Sequence, residues 1–419
     1  MPKLIFPFLL LCLLVTSLAA QKNVLERIIR QEQATFGDWA AKPEQFEIQV
    51  LYTQIDRDEN GVPTFTTHRW GADPNRYFYP ASTVKMPAAF LAMEKLNELG
   101  IAGLDAHAAM HNYAGRSPQT AALADTSSAT GLASVAHYAR KIFLVSDNDA
   151  FNRLYEFLGQ RYFNERLRAK GLTDTRIIHR LSVSGFDTLG NRYTNPVAFY
   201  GDEGLLYQQG ERYSRWYDDL GLSQQLRGKG YINSEDETVL EPFDFSYKNY
   251  VSTQDLHDIV KAFIFPNAVA PNERFNISTA DREWLLRAML QYPQESDFPR
   301  YGEGDNYVKF WLYGDQDEET TQIPEHIRIL NKVGWAYGFL TDAAYIVDLE
   351  AGVEFILVGT IHTNANQIYN DGEYEYKSQA LPFFGELGRA IYEHELKRKR
   401  RYPADLTPLK NLLETETQD

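Results

Sequence analysis

Along the 419-residue chain, strand-like alternation of apolar residues occurs near both ends and helical spacing occurs in the middle. This separation restricts the possible folds. Alternating apolar residues near 46–52 and 64–70 predict a β-hairpin, and apolar runs at 327–333, 343–349 and 353–361 predict further strands. Helical spacing dominates the residues between these two groups. Because strands from both ends must bury their apolar faces, the pattern predicts one antiparallel sheet with a helical lobe inserted in it.

Apolar residues at helical spacing also predict a helix over 22–39 and another over 379–397, which would flank the sheet. The same spacing predicts helices in the middle of the chain at Val84–Leu99, Val135–Val145, Ala150–Leu158, Gln254–Phe265 and Asp281–Leu290. The sequence therefore predicts an α+β fold. In this fold an antiparallel sheet lies between N- and C-terminal helices as an αβα sandwich, and an all-helical lobe is attached to it.

The predicted domain organisation follows from these patterns. Residues 21–81 and 322–400 form the α/β sheet lobe, residues 82–321 form the helical lobe, and residues 401–419 form a C-terminal tail. A monomer is expected.

Within the helical lobe, residues 181–251 show no sustained period and are rich in Tyr, Gly, Asp and Glu. Connections longer than about 15 residues are typically functional lids or insertions. We predict an elaborated insertion here, with short helices at 203–208 and 211–220.

The first residues resemble a secretory signal peptide. An apolar stretch, Leu4–Val15, follows Lys3 and ends in small residues up to Ala20. It is shorter than the roughly 20 residues of a membrane span, so we expect residues 1–20 to be removed on export to a periplasmic or secreted location. The single cysteine, Cys12, lies in this stretch, and the mature protein would therefore have no disulfide, thiol nucleophile or thiolate metal site.

Charge and histidine spacing exclude several classes of function. The chain has 42 Lys and Arg against 57 Asp and Glu, a net charge of −15, and nucleic-acid binding needs concentrated positive charge. His107 and His111 have the spacing of a helical metal pair, but no acidic third ligand accompanies them. We predict no nucleic-acid partner, no transmembrane segment, no metal and no cofactor.

The strongest chemical motif is Ser-x-x-Lys, formed by Ser82 and Lys85 at the start of an apolar helix. The spacing places both side chains on one face of the helix, in the positive field at its N-terminus. A desolvated lysine can be neutral and take the proton of the hydroxyl, which gives a serine nucleophile without histidine. The alternative is that Ser82 only caps the helix.

Two further motifs follow in the chain. Ser146 and Asn148 flank an aspartate between two helical segments, where the hydroxyl could relay a proton and the amide could bind a substrate carbonyl. The alternative is an N-cap of the next helix. Lys332 and Gly334 precede a strand pair; the lysine could attract a carboxylate and the glycine could let substrate lie along the strand. Taken alone, this third motif would be a solvated turn.

In combination and order, the three motifs resemble the active-site set of the penicillin-recognising serine hydrolases, the class A β-lactamases and D-alanyl-D-alanine peptidases. The resemblance covers roughly 24–180 and 252–396 and implies a β-lactamase/transpeptidase-like fold. It implies roles for Ser82 as acylated nucleophile, Lys85 as its base, Ser146 in proton transfer to the leaving group, Asn148 in orienting substrate, Lys332 as electrostatic anchor, and the backbone N–H groups of Ser82 and Trp335 as oxyanion hole.

The sequence departs from the family pattern in two places. Val333 stands where the family usually has a hydroxyl residue, which removes one hydrogen bond to a substrate carboxylate, worth about 1.5–3 kcal/mol. A β-lactamase places its deacylating glutamate almost directly after the position of Arg180. This chain continues there with Leu181, Ser182, Val183 and Ser184, so no glutamate follows at once. Asp187 and Glu241 stay open as candidates for that role, beside the alternative that both are surface carboxylates, and efficient hydrolysis of a β-lactam is in doubt.

The leading hypothesis is a secreted serine hydrolase that forms an acyl-enzyme with a β-lactam or a cell-wall-peptide-like substrate. Two alternatives stay open: a non-catalytic cell-wall or peptide-binding module that retains the fold, and a genuine class A β-lactamase. In the predicted insertion, aromatic side chains either line a glycan or peptide groove or simply pack onto the body; they are Tyr207, Tyr213, Trp216 and Tyr217.

Overall fold

The computed structural model describes residues 23–414, so the predicted signal peptide at 1–20 lies outside the described residues. The α-helices, in chain order, are α1 (Val24–Glu32), α2 (Asp38–Ala41), α3 (Lys85–Leu99), α4 (Val135–Val145), α5 (Asn148–Leu158), α6 (Gln160–Ala169), α7 (Thr253–Ile264), α8 (Thr279–Leu290), α9 (Leu381–Lys397) and α10 (Thr407–Glu414).

The strands fall into two groups, long strands near the chain ends and short ones between them. In chain order they are β1 (Gln49–Arg57), β2 (Pro63–Trp70), β3 (Ala109–Asn112), β4 (Thr175–Arg176), β5 (Tyr193–Thr194), β6 (Val197–Gly201), β7 (Gly204–Gln209), β8 (Arg212–Tyr213), β9 (Leu226–Arg227), β10 (Gly230–Ile232), β11 (Thr238–Val239), β12 (Phe243–Asp244), β13 (Tyr250–Val251), β14 (Ile327–Ala336), β15 (Phe339–Asp348), β16 (Val353–His362) and β17 (Ile368–Tyr369).

The five long strands form one antiparallel sheet in the order β14-β15-β16-β1-β2. The two chain ends meet where β1 pairs with β16, with Val50 opposite Gly359. This confirms the prediction of one antiparallel sheet built from both ends of the chain. β14 is an edge strand, and its free edge faces the helical lobe through the turn that precedes α3.

The sheet is buried on both faces because its strands alternate between two apolar layers. On one face Leu330 and Val347 join the core of the helical lobe. On the other, Ile329 and Ile346 join the layer formed with the terminal helices α1 and α9, which includes Phe384. Period-two alternation places these neighbours on opposite faces. The sheet therefore lies between two helical layers, which confirms the αβα sandwich, and both terminal helices lie in the same layer.

The helical lobe is organised around α3, in which every residue from Lys85 to Leu96 is buried. A helix that is buried on all sides belongs inside a protein core, and α3 packs against α4, α5 and α6.

After the sheet lobe, α10 occupies part of the predicted tail and packs against α8, with Leu406 buried beside it. Within residues 23–414, no helix combines the length and apolar character that a membrane span needs.

The insertion, residues 181–251, consists of short strands and turns. The two helices predicted at 203–208 and 211–220 are wrong: the first segment forms β7, and the second contains the two-residue β8 followed by residues without regular structure. β6 and β7 are joined by a tight turn and extend a sheet that begins with β3. β13 pairs with β4, and β10 pairs in parallel with β17 near the C-terminal end of the sheet lobe. The insertion is therefore attached by backbone hydrogen bonds to both lobes.

Candidate active site

Ser82 lies in a 3₁₀ turn, Ala81–Val84, that runs directly into α3, and Lys85 is the first residue of that helix. The turn is fixed by Thr83, whose backbone N–H and Oγ1 both donate to the carbonyl of Pro80, at 3.1 and 2.8 Å. No side chain caps the N-terminus of α3, so the capping alternative for Ser82 does not hold. Ser82 is half-buried.

The backbone around this turn is strained at three positions. Ala81, Ser146 and Tyr337 have φ values of 45°, 55° and 55°, a left-handed conformation that costs a non-glycine residue about 1–2 kcal/mol. Ala81 immediately precedes the candidate nucleophile, and Ser146 ends α4. Strain of this kind persists only where surrounding packing enforces it, and it clusters at functional sites.

Lys85 is fully buried and binds the second motif directly. Its Nζ donates to the Ser146 carbonyl, to Ser146 Oγ at 3.2 Å and to Asn148 Oδ1 at 2.7 Å. Burial lowers the pKa of Lys85 to about 7, although the negative charge of Asp147 acts in the opposite direction. Near neutral pH a large fraction of Lys85 is therefore uncharged and able to accept a proton.

Lys332, on the edge strand β14, reaches the same hydroxyl. Its Nζ donates to Ser146 Oγ at 2.8 Å and to the carbonyl of Val333 at 2.9 Å. Burial, together with the charge of Lys85, lowers the pKa of Lys332 well below its ordinary value. Because a hydroxyl both donates and accepts, Ser146 Oγ connects the two amines and can pass a proton between them.

Ser146 and Asn148 are held in place by ion pairs that the sequence did not predict. Asp147 caps α5, since its Oδ1 accepts from the N–H of Ala150 at 2.7 Å, and it also pairs with Lys141 at 3.2 Å. Lys141 pairs in turn with Asp125 at 3.0 Å. The N-cap is thus Asp147 and not Ser146, whose hydroxyl is left for the cleft. The Asp-Asn helix start was the only signal, and it did not identify the distant partners.

Gly334 is where β14 touches the turn that carries Ser82. A Cβ atom at this position would lie 2.4 Å from the Pro80 carbonyl oxygen and 2.8 Å from the Ser82 nitrogen. The sequence predicts that this glycine lets substrate lie along the strand; in the structure, close packing of the strand against the turn leaves no room for a side chain here. Val333 is buried in the apolar layer on the opposite face of the sheet.

Trp335 follows Gly334, so its backbone N–H lies beside the segment that carries the N–H of Ser82. The indole is 41% exposed, and its ring stacks on Tyr376 with centroids 6.0 Å apart and packs near Phe310. Each of the seven residues predicted for the site therefore belongs to one continuous region. Lys85, Ser146, Asn148 and Lys332 make direct contacts there, and Gly334 joins the strand to the turn.

The two carboxylates considered for deacylation lie at the surface. Asp187 is exposed, and its Oδ1 accepts from the N–H of Gly190 at 2.6 Å. Glu241 is exposed in the bend between β11 and β12. Across residues 23–414, no hydrogen bond or ion pair joins either carboxylate to Ser82 or Lys85. Arg180 is buried and paired with Glu156 at 3.1 Å.

The two histidines with metal-like spacing are not on a helix. His107 lies in a turn, and His111 lies in β3 beside Tyr113 and Tyr200. In the part of the chain that the structure describes, no group of three or more His, Cys, Asp or Glu side chains is arranged to hold a metal ion.

An antiparallel sheet whose edge strand meets a helical lobe at a Ser-x-x-Lys turn defines the β-lactamase/transpeptidase-like fold, as the sequence predicted. The profile of the Beta-lactamase enzyme family matches residues 37–394, and the chain belongs to that family. No curated protein sequence matches the chain.

Solved structures with a similar arrangement include two β-lactamases and a penicillin-binding protein. The β-lactamase from Sphaerobacter thermophilus is 13% identical, with 86% of this chain and 96% of that chain covered and a TM-score of 0.48. PBP-A is 15% identical, with coverage of 90% and 97% and a TM-score of 0.48. The β-lactamase from Xanthomonas campestris pv. campestris is 14% identical, with coverage of 88% and 98% and a TM-score of 0.46.

Proposed function

We propose that the protein is a secreted, monomeric serine hydrolase that forms an acyl-enzyme on Ser82 with a β-lactam or a cell-wall-peptide-like amide or ester. The observation that carries the proposal is the meeting of two buried lysines, Lys85 and Lys332, at the hydroxyl of Ser146. Such an arrangement supplies both a base for a serine nucleophile and a route for its proton.

Acylation follows from these positions. Uncharged Lys85 takes the proton of Ser82 Oγ as the oxygen attacks the substrate carbonyl, so the Oγ–C bond forms while Lys85 becomes an ammonium. The N–H groups of Ser82 and Trp335 stabilise the resulting oxyanion. Ser146 Oγ then passes a proton to the leaving nitrogen or oxygen as its bond to carbon breaks, and Lys85 replaces that proton.

The charge of the lysine pair links binding to chemistry. Two ammonium groups that share one buried hydroxyl repel each other, so the pair favours states with one charge. A substrate carboxylate near Lys332 stabilises the charge on that residue. The same charge lowers the proton affinity of Lys85 and keeps it available as the base. Asn148, through its Oδ1 contact with Lys85 Nζ at 2.7 Å, fixes the amine and presents its own amide to substrate.

Hydrolysis of the acyl-enzyme is the slow step in this proposal. It needs a base that activates water beside the ester. Asp187 and Glu241 are both exposed, and Asp187 accepts the N–H of Gly190. Lys85 would have to serve as that base, and its amine is shared with Ser146. A long-lived β-lactam adduct is the expected consequence.

The proposal is tested by labelling the protein with a fluorescent penicillin and separating it under denaturing conditions. Wild type and Ser184→Ala, a control at an exposed serine of the insertion, are expected to retain a covalent label, and Ser82→Ala to lose it. If wild type stays unlabelled at high reagent concentration, the hydrolase proposal is wrong and a non-catalytic binding module is favoured. Labelling of Ser82→Ala at the wild-type rate would assign the nucleophile elsewhere.

A further inference from the structure

The insertion and the body of the protein together line an open cavity of about 550 Å³, within the size range of small-molecule sites. Tyr79 and Tyr337 form its wall on the body of the protein, and Trp216, Tyr217 and Tyr247 line it from the insertion. Two of the aromatic residues singled out in the sequence, Trp216 and Tyr217, thus line a cavity. The site proposed above does not use this space.

The cavity adjoins the site because its wall belongs to the catalytic segments. Tyr79 precedes Ser82 by three residues, Tyr337 follows Trp335 by two, and the two tyrosine rings meet edge to face with centroids 5.0 Å apart. A strand advances about 3.3 Å per residue, so the end of β14 at Ala336 lies roughly 13 Å from Lys332, and Tyr337 follows in the turn. A substrate that lies along β14 with a carboxylate at Lys332 therefore directs its other end toward the cavity.

Lys248 is the cation at this wall. It is half-buried, and its Nζ lies 5.6 Å from the ring centroid of Phe243 and 5.8 Å from that of Tyr337. Aromatic faces attract an ammonium without neutralising it. Among the described residues, no carboxylate lies within ion-pair distance of Lys248. Its charge is thus available to a ligand inside the cavity.

His179 lies beside Tyr79 in the wall of the same cavity. His179 stacks parallel on Tyr79 with centroids 6.0 Å apart, and its Nδ1–H donates to the Arg180 carbonyl at 2.5 Å. Burial, reinforced by the positive charge of Lys248, lowers the pKa of His179 to about 3. The imidazole is therefore neutral at physiological pH. Arg180 and Arg192 also line the cavity, but Arg180 is paired with Glu156, and Arg192 donates to the carbonyls of Ser214 and Trp216.

The acidic residues of the cavity are placed differently. Asp187 and Asp244 line it too, but both are exposed and accept backbone N–H groups, of Gly190 at 2.6 Å and of Ser246 at 2.8 Å. Exposed charges are screened by water and salt far more than enclosed ones. The rim is therefore mixed in charge, whereas the wall nearest the catalytic turn is positive.

We propose that this cavity binds the acyl side chain of the substrate and that Lys248 selects side chains that carry a carboxylate. The inference rests on the proposed function, because it takes the substrate to be an acyl donor to Ser82. It names the substrate class more closely: an amide or ester with an anionic group at the end remote from Lys332.

The test compares two penicillins, benzylpenicillin and carbenicillin, which differ by one carboxylate on the acyl side chain. Dissociation constants are measured by calorimetry in a Ser82→Ala background, so that binding is read without acylation. We expect Lys248→Met to reduce the preference for carbenicillin over benzylpenicillin by about tenfold, because one charge-assisted contact is lost. Lys248→Arg should retain the preference, and Lys229→Met, at an exposed lysine of the same insertion, should not change it.

An unchanged preference in Lys248→Met, equal weakening of both ligands, or no binding of carbenicillin would overturn the inference. Should Lys248→Met lose its folded circular-dichroism spectrum, Lys248→Gln repeats the comparison with a neutral polar side chain. Failure of the proposed function is separate, since it appears as absent labelling of Ser82 in the otherwise wild-type protein.

Discussion

The cleft around Ser82 and the insertion at 181–251 meet at the wall formed by Tyr79 and Tyr337, yet they are built in opposite ways. The cleft joins three long elements, α3, α4 and β14, through the contacts of two buried lysines, Lys85 and Lys332, with the hydroxyl of Ser146. The insertion consists of strands of two to six residues with exposed charges. We therefore expect the chemistry to depend on the common core, and selectivity to change in the insertion without moving Ser82.

The largest effect is expected from removing the proposed base, Lys85. Lys85→Met is expected to reduce the rate of acylation by benzylpenicillin about 10³-fold, within the range for loss of a general base. Stopped-flow or quenched mass measurements of adduct formation give this rate. Lys229→Met serves as the control in the insertion and should leave the rate unchanged. A tenfold loss or less in Lys85→Met would show that another group takes the proton.

The pH dependence of acylation also tests whether Lys85 is the base. Only uncharged Lys85 can accept the proton, and its pKa is lowered to about 7 by burial. The acylation rate should therefore be low at pH 5, rise through a midpoint near 7 and level off above it. A rate that falls over this range, or that does not change in wild type, is incompatible with Lys85 as the base.

Contact between strand and turn is tested by Gly334→Ala. The added methyl group would lie within 3 Å of Pro80 and Ser82 backbone atoms, so β14 must move away from the nucleophile. A displacement of about 1 Å can cost roughly a hundredfold in rate, and we expect a loss of that order in acylation. Gly210→Ala, in the insertion where no atom crowds the new Cβ, is the matched control and should retain the wild-type rate.

The smallest effect is expected for Val333→Thr, which restores the hydroxyl that the family usually has. Val333 packs in the apolar layer behind the sheet, so the new hydroxyl should cost about 1 kcal/mol or more of unfolding free energy. It should change acylation by less than about threefold, because it is buried away from the cleft. Thermal melts and acylation rates measure both quantities. A tenfold gain in acylation would show instead that this position contacts substrate.

Much of this architecture was predictable because long elements carry clear periodicity. The spacing predicted Val135–Val145 to the residue, and the three strands after Ile327 were located within a few residues of their ends. The candidate site could be proposed from the sequence for a related reason, since Ser-x-x-Lys and the Ser146 motif each lie within a few residues of chain at one end of a helix.

The short strands of the insertion, the close packing at Gly334 and the ion pairs near Ser146 depend on contacts between residues far apart in the sequence, which local patterns do not predict. A strand of two residues, such as β8, has no alternation to detect, and Leu205, Leu206 and Tyr207 in β7 are consecutive apolar residues that fit a helix equally well. The reason for Gly334 appears only when the Pro80 carbonyl is placed next to it. The same is true of the ion pairs that hold the Ser146 turn, whose members come from separate elements.

The role of Ser82 as the acylated nucleophile is tested most directly by the intact mass of the mature protein, followed over time after addition of benzylpenicillin. We expect one penicilloyl group on each wild-type molecule, located on the peptide that contains Ser82. Ser82→Ala should carry no such group. In wild type the group should be lost slowly after excess drug is removed. An unchanged wild-type mass, or the same adduct on Ser82→Ala, would contradict the central claim that Ser82 is the acylated nucleophile. Rapid loss of the adduct would contradict only the proposal that deacylation is slow.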